Sequence, residues 1–459
     1  MSFQTRFFAK ALLLFLSFSP HFLNAQNRVK EWTLDECISL ALVDNIEIKQ
    51  KELDLKTKEV ALSESRWAYA PSFSFSSSAT MATGRVLDQT TYEFVRNNSV
   101  NSSSASIYGS MSLFNGFRKH HSLKKAELAI EAVSTNIEAK KRRIQEEVIG
   151  CFLSVLCARA NLESMKQRQS LYKSQLERIQ TMVDAGRVTE SDYYQAKAQL
   201  FSTESDLALA EGEYDKARIS LCQLLEVSDW QSFAVSEEGI DLPSIDVTYS
   251  MDSESIMSHP EYRSFAIEKE LAQKDLSISK SQYWPTVSLS AGYGTSSSSA
   301  RQKMLQNGDG TYKYEAYPFL EQYVDNASSY VSINLSLPIF NAMNTKNSVR
   351  RNKIALQNAE YELIRVKKEL TKEYLNLLMD AKVAYNQYTS AEEQLKNAEE
   401  AERMVREKYN LGVTDFNTWD TAATELVRAK CALTNAKYAF AFNRIELNLY
   451  NNSLYGRGE

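Results

Sequence analysis

Ala105–Asn115 reads ASIYGSMSLFN, and Val331–Asn341, in the second half of the chain, reads VSINLSLPIFN. Apolar and polar residues alternate in both stretches, and both end in Phe-Asn. Alternation with a period of two predicts β-strands that have one apolar face. The offset between the two stretches continues without a gap to Leu221 and Leu447. Two copies are too few for a solenoid, so the sequence predicts one large unit that is duplicated within one fold.

A second alternating stretch precedes each of these segments, at Pro71–Ser76 and Pro285–Tyr293. The offset between the two prolines is shorter than the offset between the two Phe-Asn pairs, so the second hairpin carries an insertion relative to the first. The connection between the strands is rich in Ser and Asn at Thr83–Asn101 and rich in Tyr at Tyr312–Tyr323. The sequence therefore predicts four strands, two in each copy.

One face of these strands is apolar, and the other is almost entirely Ser, Thr and Asn. A soluble sheet packed on helices has the same period. Strands of about 10 residues also fit a bilayer-spanning barrel with an aromatic rim. Four strands cannot close a barrel, and open edges are not tolerated in lipid. The membrane interpretation therefore requires an oligomer, with roughly eight strands from two copies or twelve from three.

The rest of each copy has the apolar period of very long helices. Between Asn344 and Asn410 there is neither Pro nor Gly, and a helix of this length would span about 100 Å. Its apolar seam steps by three or four residues, with one four–four step at Leu370–Tyr374 that acts as a stutter. The seam comprises Ala359, Leu363, Val366, Leu370, Tyr374, Leu377, Ala381, Ala384, Tyr388, Ala391, Leu395 and Ala398.

A similar short turn follows the long helical segment in each copy. Gly186 and Gly412 can adopt the left-handed conformation that closes a helix. Thr189 and Thr414, or a neighbouring Asp, can cap the helix that follows. Each copy is therefore predicted to contain a helical hairpin about 100 Å long.

The N-terminal segment Met1–Ala25 has the features of a secretory signal. Arg6 and Lys10 precede a short apolar core, and Leu23-Asn24-Ala25 is a small-residue cleavage site. The apolar core is shorter than the roughly 20 residues of a membrane-spanning helix. We therefore expect an exported chain without a transmembrane helix further along.

The composition argues against nucleic-acid binding and against catalysis. The net charge is −5, and it becomes about −7 once the signal is removed. The five cysteines are scattered, the adjacent His120 and His121 cannot share a helix face, and His259 is isolated. There is no nucleophile–base pair, metal cluster or phosphate loop. We expect no enzyme activity, no metal and no cofactor.

The chain resembles the TolC family of outer-membrane efflux and secretion channels. The resemblance rests on Leu335–Asn341, on Ala41–Asn45 and on the turn segments beginning at Gly186 and Gly412. It implies an α+β membrane protein with a long antiparallel α-helical barrel and a transmembrane β-barrel. Each protomer would supply four strands to a 12-stranded homotrimer. A periplasmic adaptor and an inner-membrane pump of the RND or ABC type are the implied partners.

The resemblance and the internal repeat together predict the following organisation in the bacterial outer membrane and periplasm: signal peptide 1–25, N-terminal helix 26–70, first barrel hairpin 71–114, first helical hairpin 115–226, equatorial connector 227–251, second N-terminal helix 252–284, second barrel hairpin 285–341, second helical hairpin 342–452 and C-terminal tail 453–459.

The far ends of the helical hairpins carry the candidate site residues. The expected adaptor-facing turn residues are Gly186, Val188, Thr189, Gly412, Val413 and Thr414, with Val188, Thr189, Val413 and Thr414 exposed. Family members often place Asp six and nine residues after the second glycine, where this chain has Thr418 and Thr421. Asp192, Asp415 and Asp420 are the candidates for an acidic periplasmic aperture. Each could equally be a helix N-terminal charge that the dipole favours.

These features predict a passive trimeric exit duct of a tripartite efflux or type I secretion system. Both drug efflux and protein secretion fit. The alternative is an exported coiled-coil scaffold or surface protein without a pore. That alternative predicts heptads but not the duplicated Ser-alternating hairpins.

Overall fold

The computed structural model describes residues 31–87, 92–238, 240 and 253–454. The predicted signal peptide, all of the predicted connector after residue 240 and residues 455–459 of the predicted tail lie outside the described residues. The chain divides into two compact units. We call Met1–Ala41, Glu147–Pro243 and Gln387–Phe442 the tip unit, and Leu42–Glu146, Ser244–Asn386 and Asn443–Glu459 the sheet unit.

The elements are numbered in chain order. The strands are β1 (Glu31–Trp32), β2 (Ser72–Leu87), β3 (Phe94–Asn115), β4 (Ala234–Val235), β5 (Thr286–Ser298), β6 (Gln302–Gln306), β7 (Tyr312–Ala316) and β8 (Ser328–Ser336). The helices are α1 (Leu34–Asp44), α2 (Ile46–Trp67), α3 (Arg118–Asp184), α4 (Glu190–Leu224), α5 (Ser253–Ser258), α6 (Pro260–Lys280), α7 (Phe319–Asp325), α8 (Asn344–Asn410) and α9 (Phe416–Leu454), with a 3₁₀ turn at Ser281–Tyr283.

The sheet unit contains a four-stranded antiparallel sheet in the order β2-β3-β5-β8. Phe73 pairs with Gly109, Ile107 with Tyr293, and Leu289 with Ile333, so the apolar residues of all four strands lie on one face. The four strands and their alternation are as the sequence predicts. The outer strands β2 and β8 each have a neighbour on one side only within this sheet.

The apolar face of this sheet is exposed in the chain. Phe73 and Val331 are each 75% exposed, and Ile107, Ile333 and Leu335 are exposed as well. A soluble sheet packed on helices would bury these side chains, so that interpretation is wrong. The fold is instead an α+β architecture with long helices and a sheet whose apolar face is uncovered.

The opposite face is lined by serine hydroxyls that pair across the strands. Ser76 and Ser106 are joined by a hydrogen bond of 2.9 Å, and Ser78 and Ser104 by another of 2.9 Å. Such cross-strand hydroxyl pairs stabilise a sheet whose polar face is in contact with water. Tyr330 covers Gly292 on this face, where a Cβ atom would lie 2.5 Å from the ring.

The connections between the strands contain more regular structure than predicted. Thr83–Asn101 is largely strand, since β2 runs to Leu87 and β3 begins at Phe94, with an irregularity in register between Gly84 and Val86. In the second hairpin the added residues form the β6–β7 pair and the short helix α7. Turn composition did not reveal these elements, because strand extensions and a seven-residue helix leave little periodic signal.

The helices α3 and α8 each contain 67 residues, and α8 covers the segment without Pro or Gly. Val366, Leu370, Tyr374, Ala381 and Ala384 of the predicted seam are buried. By length and composition alone, α3 is apolar enough to cross a membrane, which the sequence analysis did not anticipate. Val148, Phe152 and Leu156 of α3 are fully buried, and 39% of the most apolar window of this helix is buried within the chain.

In the tip unit the N-terminal segment pairs with the start of the connector. Strands β1 and β4 run parallel, and the Trp32 and Phe233 rings stack with centroids 5.9 Å apart. Arg218 of α4 donates hydrogen bonds to the carbonyl oxygens of Trp230 and Phe233. These contacts fix the described part of the connector against the end of α4.

Candidate functional site: the helix turns of the tip unit

The two long helices end in the same turn geometry. Gly186 has φ +68°, its N–H donates to the Val183 carbonyl at 2.8 Å, and the Arg187 N–H donates to Met182 at 2.9 Å. This bonding pattern is a Schellman motif. A Cβ atom at this glycine would meet nothing within 4 Å, so the backbone conformation and not space requires glycine.

The second turn repeats these contacts. Gly412 has φ +73°, its N–H donates to Tyr409 at 3.0 Å, and the Val413 N–H donates to Lys408 at 2.9 Å. There is again nothing within 4 Å of an added Cβ. The prediction that both glycines close helices in the left-handed conformation is therefore confirmed.

The helices that follow are capped by the same two residue types in reversed positions. At α4 the Thr189 hydroxyl oxygen accepts the Asp192 N–H at 3.3 Å, and the Asp192 carboxylate accepts the Thr189 N–H at 3.0 Å. At α9 the Asp415 carboxylate accepts the Thr418 N–H at 2.8 Å and its hydroxyl at 2.6 Å. The predicted Thr189 cap is confirmed, whereas in the second copy the neighbouring Asp415 is the cap and not Thr414.

The capping bonds explain the electrostatics of one aperture candidate. The hydrogen bonds that Thr418 donates lower the pKa of the exposed Asp415 carboxyl. They favour the charged form, which also interacts favourably with the helix dipole. Asp192 and Asp415 thus each hold the first turn of a helix in place.

Behind the turns lies an aromatic core that sequence reasoning missed. This tip cluster brings together α3, α4, α8 and α9, and it consists of Tyr172, Ile179, Ala196, Tyr409, Phe416, Trp419 and Ala423. The Trp419 ring stacks on Tyr409 at 5.9 Å and meets Tyr172 edge-on at 5.8 Å. Trp419 is 1% exposed, and its size makes it the largest side chain of this core.

Two buried polar contacts orient the tip cluster. The indole N–H of Trp419 donates to the Glu402 carboxylate at 3.2 Å, and Arg406 forms an ion pair with the same carboxylate. The Tyr172 hydroxyl on α3 donates to the Asp420 carboxylate on α9. Burial first, and then this hydrogen bond, raise the pKa of Tyr172, so the hydroxyl remains a donor at neutral pH.

The exposure of the turn residues differs between the copies. Thr189 and Val413 are exposed as expected, with Val413 at 72%. Val188 and Thr414 are half-buried, so the prediction that they are exposed is wrong. Val188 precedes the cap and packs with Tyr193 against the tip cluster, which is the arrangement of a hydrophobic staple.

The three aperture candidates occupy the starts of two helices. Asp192 and Asp415 lie at the beginnings of α4 and α9, and Asp420 lies in the next turn of α9. Their carboxylates accept hydrogen bonds from the hydroxyls of Thr189, Thr418 and Tyr172, respectively. Their role in a pore remains a prediction, because a ring of charge would need several copies of the chain.

Comparison with known proteins finds a matching family model and related chains. The chain matches the family model described as outer membrane efflux protein over residues 37–226 and 241–452. It is 21% identical to the outer membrane protein TolC of Vibrio cholerae over 346 residues, 71% of each chain. It is 20% identical to the toxin and drug export protein A of Aggregatibacter actinomycetemcomitans over 352 residues, 74% of this chain and 70% of that one.

Solved structures show the same fold. The CmeC outer membrane channel of Campylobacter jejuni superimposes with a TM-score of 0.78 at 17% identity, covering 94% of this chain and 88% of that chain. The outer membrane protein VceC of Vibrio cholerae gives a TM-score of 0.74 at 16% identity, covering 93% and 96% of the respective chains.

Proposed function

Because the chain belongs to the outer membrane efflux protein family, we propose that it forms a trimeric exit duct of a tripartite efflux or type I secretion system. The duct passively conducts substrates from a periplasmic adaptor and an inner-membrane pump to the cell exterior. The family is one of passive outer-membrane channels and not an enzyme family. The trimer, the partners and the transport route are the proposal.

The single observation that carries the proposal is the sheet with two outer edges, an exposed apolar face and a serine face. In lipid, the backbone groups of β2 and β8 must be paired. Edge-to-edge association of several copies pairs them and closes a barrel with serines inside and Phe73 and Val331 outside. The family resemblance favours three copies and 12 strands over two copies and eight. A coiled-coil scaffold without a pore does not require a sheet that has an exposed apolar face and a serine face.

The proposal assigns a location to each segment of the predicted organisation. The two hairpins that contain β2–β3 and β5–β8 lie in the membrane, and the helical hairpins form a periplasmic tunnel. The described residues of the connector belong to the equatorial region. The turns at Gly186 and Gly412 face the adaptor, and Asp192, Asp415 and Asp420 lie near the periplasmic mouth.

Mass measurement of the detergent-purified protein tests the assembly. We expect a mass of three chains in the outer-membrane fraction. A monomer, or recovery with the inner membrane, contradicts the duct. A dimer would keep a closed barrel but overturn the trimer.

Substitution of both turn glycines tests the adaptor-facing assignment. Gly186→Val together with Gly412→Val should abolish export while the trimer and its membrane insertion persist. Gly186→Asn with Gly412→Asn is the matched control, because Asn tolerates the left-handed conformation. Wild-type export in the double Val variant would show that the turns do not contact a partner.

Conductance of reconstituted trimers tests the aperture. Three acidic residues per chain, repeated threefold, attract cations by about 1 kcal/mol per close pair in water. We expect cation selectivity and block by added trivalent cations, with most of the block lost in the Asp192→Asn, Asp415→Asn, Asp420→Asn variant. Unchanged selectivity and block would place the charge filter elsewhere in the tunnel.

A further inference from the structure

The internal repeat relates the helices of the tip unit position by position. Phe114 corresponds to Phe340, and this offset of 226 residues relates α3 to α8 and α4 to α9 without a gap up to Leu221 and Leu447. Each contact that α3 makes with α9 therefore has an equivalent pair of positions in α8 and α4. The joint between α3 and α9 is formed inside the chain, whereas the equivalent faces of α8 and α4 are largely exposed.

The joint between α3 and α9 is antiparallel and has a defined register. The Tyr172 hydroxyl on α3 donates to the Asp420 carboxylate on α9. About four turns away, the Cys157 thiol donates to the Asn435 side-chain oxygen at 3.0 Å, and Asn161 donates to the same oxygen at 3.4 Å. Tyr172 is 1% exposed. The joint thus consists of a buried ring and of polar contacts between the two helices.

The face of α4 that corresponds to this joint is apolar and exposed. Tyr194 stands at the position equivalent to the aspartate of the joint, and Phe201 and Leu209 follow it along the same face. These three side chains are 63%, 58% and 66% exposed. Ala198 and Ser205 lie between them, so the steps are four, three, four and four residues, which is the spacing of a coiled-coil seam. A seam of large exposed apolar side chains indicates a contact surface.

The corresponding face of α8 carries no charge. Ten of the 24 residues from 387 to 410 are charged, and none of them lies in the stripe that is equivalent to the α3 side of the joint. Every member of this stripe is exposed except Ala398, which is half-buried. Depletion of charge is typical of a surface that becomes buried on association. The stripe consists of Gln387, Ser390, Gln394, Ala398, Ala401 and Met404.

The side chains at the centre of the two faces are complementary in size, with the sides exchanged. In the joint inside the chain, α3 contributes the large Tyr172 and α9 the smaller Asp420. At the equivalent pair, α8 contributes the small Ala398 and α4 the large Tyr194. Each pair therefore contains one aromatic ring, so both pairs can be packed at a similar distance between the helix axes.

We infer that α4 of one copy packs antiparallel on α8 of the next copy, with Tyr194 opposite Ala398 of that copy. The register of the joint inside the chain then places Leu209 beside Gln387 of the next copy. The occupant is a second copy because the repeat supplies both faces of this joint on one chain. This contact rests on the proposed assembly and adds its surface: the joint between copies is apolar, whereas the joint within each chain is polar.

Cross-linking of the assembled protein tests the register. Full-length Tyr194→Cys and Ala398→Cys variants are co-expressed, purified and treated with a short thiol-specific cross-linker. We expect a product with the mass of two chains in which an α4 peptide is joined to an α8 peptide. Gln387→Cys in place of Ala398→Cys is the matched control, because Gln387 lies on the same stripe about 16 Å away and should give little product. Each variant expressed alone accounts for links through the native cysteines.

Exchange of the two central side chains tests the packing. Tyr194→Asp removes the ring from the joint, and Ala398→Tyr adds a second ring to it, so each alone should lower the temperature at which the assembly dissociates in detergent. The two changes together recreate the pair that Tyr172 and Asp420 form inside the chain, so the double variant should recover most of the loss. Gln195→Asp, an exposed position of α4 outside the seam, is the matched control and should change little.

Two results would overturn the inference while the assembly stands. A trimer in which the Ala398 and Gln387 positions link equally to position 194 would exclude the register, and a double variant without recovery would show that the two side chains are not opposite each other. A link from position 194 to a different protein in cells, without the link between copies, would assign the face to a transport partner. A monomer would overturn both the contact and the proposed assembly.

Discussion

The two turns of the tip unit occupy equivalent positions in the internal repeat. They form the same backbone geometry but stabilise it with different side chains. Both close a helix with a glycine of positive φ, and both begin the next helix with a Thr–Asp pair. The position equivalent to Trp419 is Tyr193, which is half-buried, whereas Trp419 is fully buried. Backbone geometry is thus common to the copies, whereas the aromatic anchor belongs to the second.

Removal of the anchor should have the largest effect. Trp419→Ala leaves a cavity at the centre of the tip cluster, and we expect it to lower the local free energy of unfolding by about 3–5 kcal/mol. Tyr193→Ala should cost clearly less, because its ring is only partly buried. Hydrogen exchange of peptides covering the turns in the full-length protein measures both. Equal losses in the two variants would mean that the copies share the anchor role.

The contact between Tyr172 and Asp420 provides the next test. Tyr172→Phe removes a hydrogen bond to a carboxylate, and it should reduce exchange protection at the start of α9 by about 2 kcal/mol. Tyr194 is the first-copy equivalent of Asp420 and is 63% exposed, so Tyr194→Phe is the matched control and should be neutral. Protection that persists in Tyr172→Phe would indicate that ring packing alone joins α3 to α9.

The turn glycines should give equal, intermediate effects. Gly186→Ala and Gly412→Ala each place a Cβ in the left-handed region, at about 1–2 kcal/mol. No neighbouring atom lies within 4 Å of either Cβ, so the cost is confined to the backbone. Exchange of the amides that form the two Schellman motifs reports each turn separately. Markedly unequal losses of exchange protection would show that the two turns are not geometrically equivalent.

Acidification should give the smallest effect. It should distinguish the Asp415 cap of α9, which titrates, from the Thr189 hydroxyl cap of α4. The pKa of Asp415 is lowered below its ordinary value of 3.8, so its contribution to stability is present above that value and is lost as the pH falls through the lowered pKa. We expect the start of α9 to lose protection in this range. Asp415→Asn keeps a good cap and should remove the pH response. A response of the same size in Asp415→Asn would assign it to another carboxyl.

Local patterns were sufficient for much of this fold. The period of two in Phe73 and Phe75 predicted the strands, and the absence of Pro and Gly from about Asn344 to Asn410 predicted the long helix α8. Gly186 and Gly412 were recognisable because a helix end favours one backbone conformation. Each of these features depends on neighbours within a few residues, which a single sequence displays directly.

Contacts between distant residues could not be predicted in the same way. Tyr172 and Asp420 lie 248 positions apart, and neither belongs to a sequence motif that predicts their contact. The position of α7 on the sheet depends on hydrogen bonds of Tyr323 with Thr295 and with Ser103, which lies 220 positions away. Aromatic residues are dense around Tyr409 and Trp419, but nothing in that density indicates their partners in α3 and α4.

The sequence by itself determined the duplication, the period of every long element, the two turn glycines and the apolar and serine faces of the strands. These follow from backbone sterics and side-chain periodicity, which act locally. Only the tertiary structure decided that the apolar face is uncovered, that Val188 packs inward and that α7 packs on the apolar face of the sheet. Those outcomes depend on which surfaces compete for burial and hydrogen bonds, and that competition involves residues hundreds of positions apart.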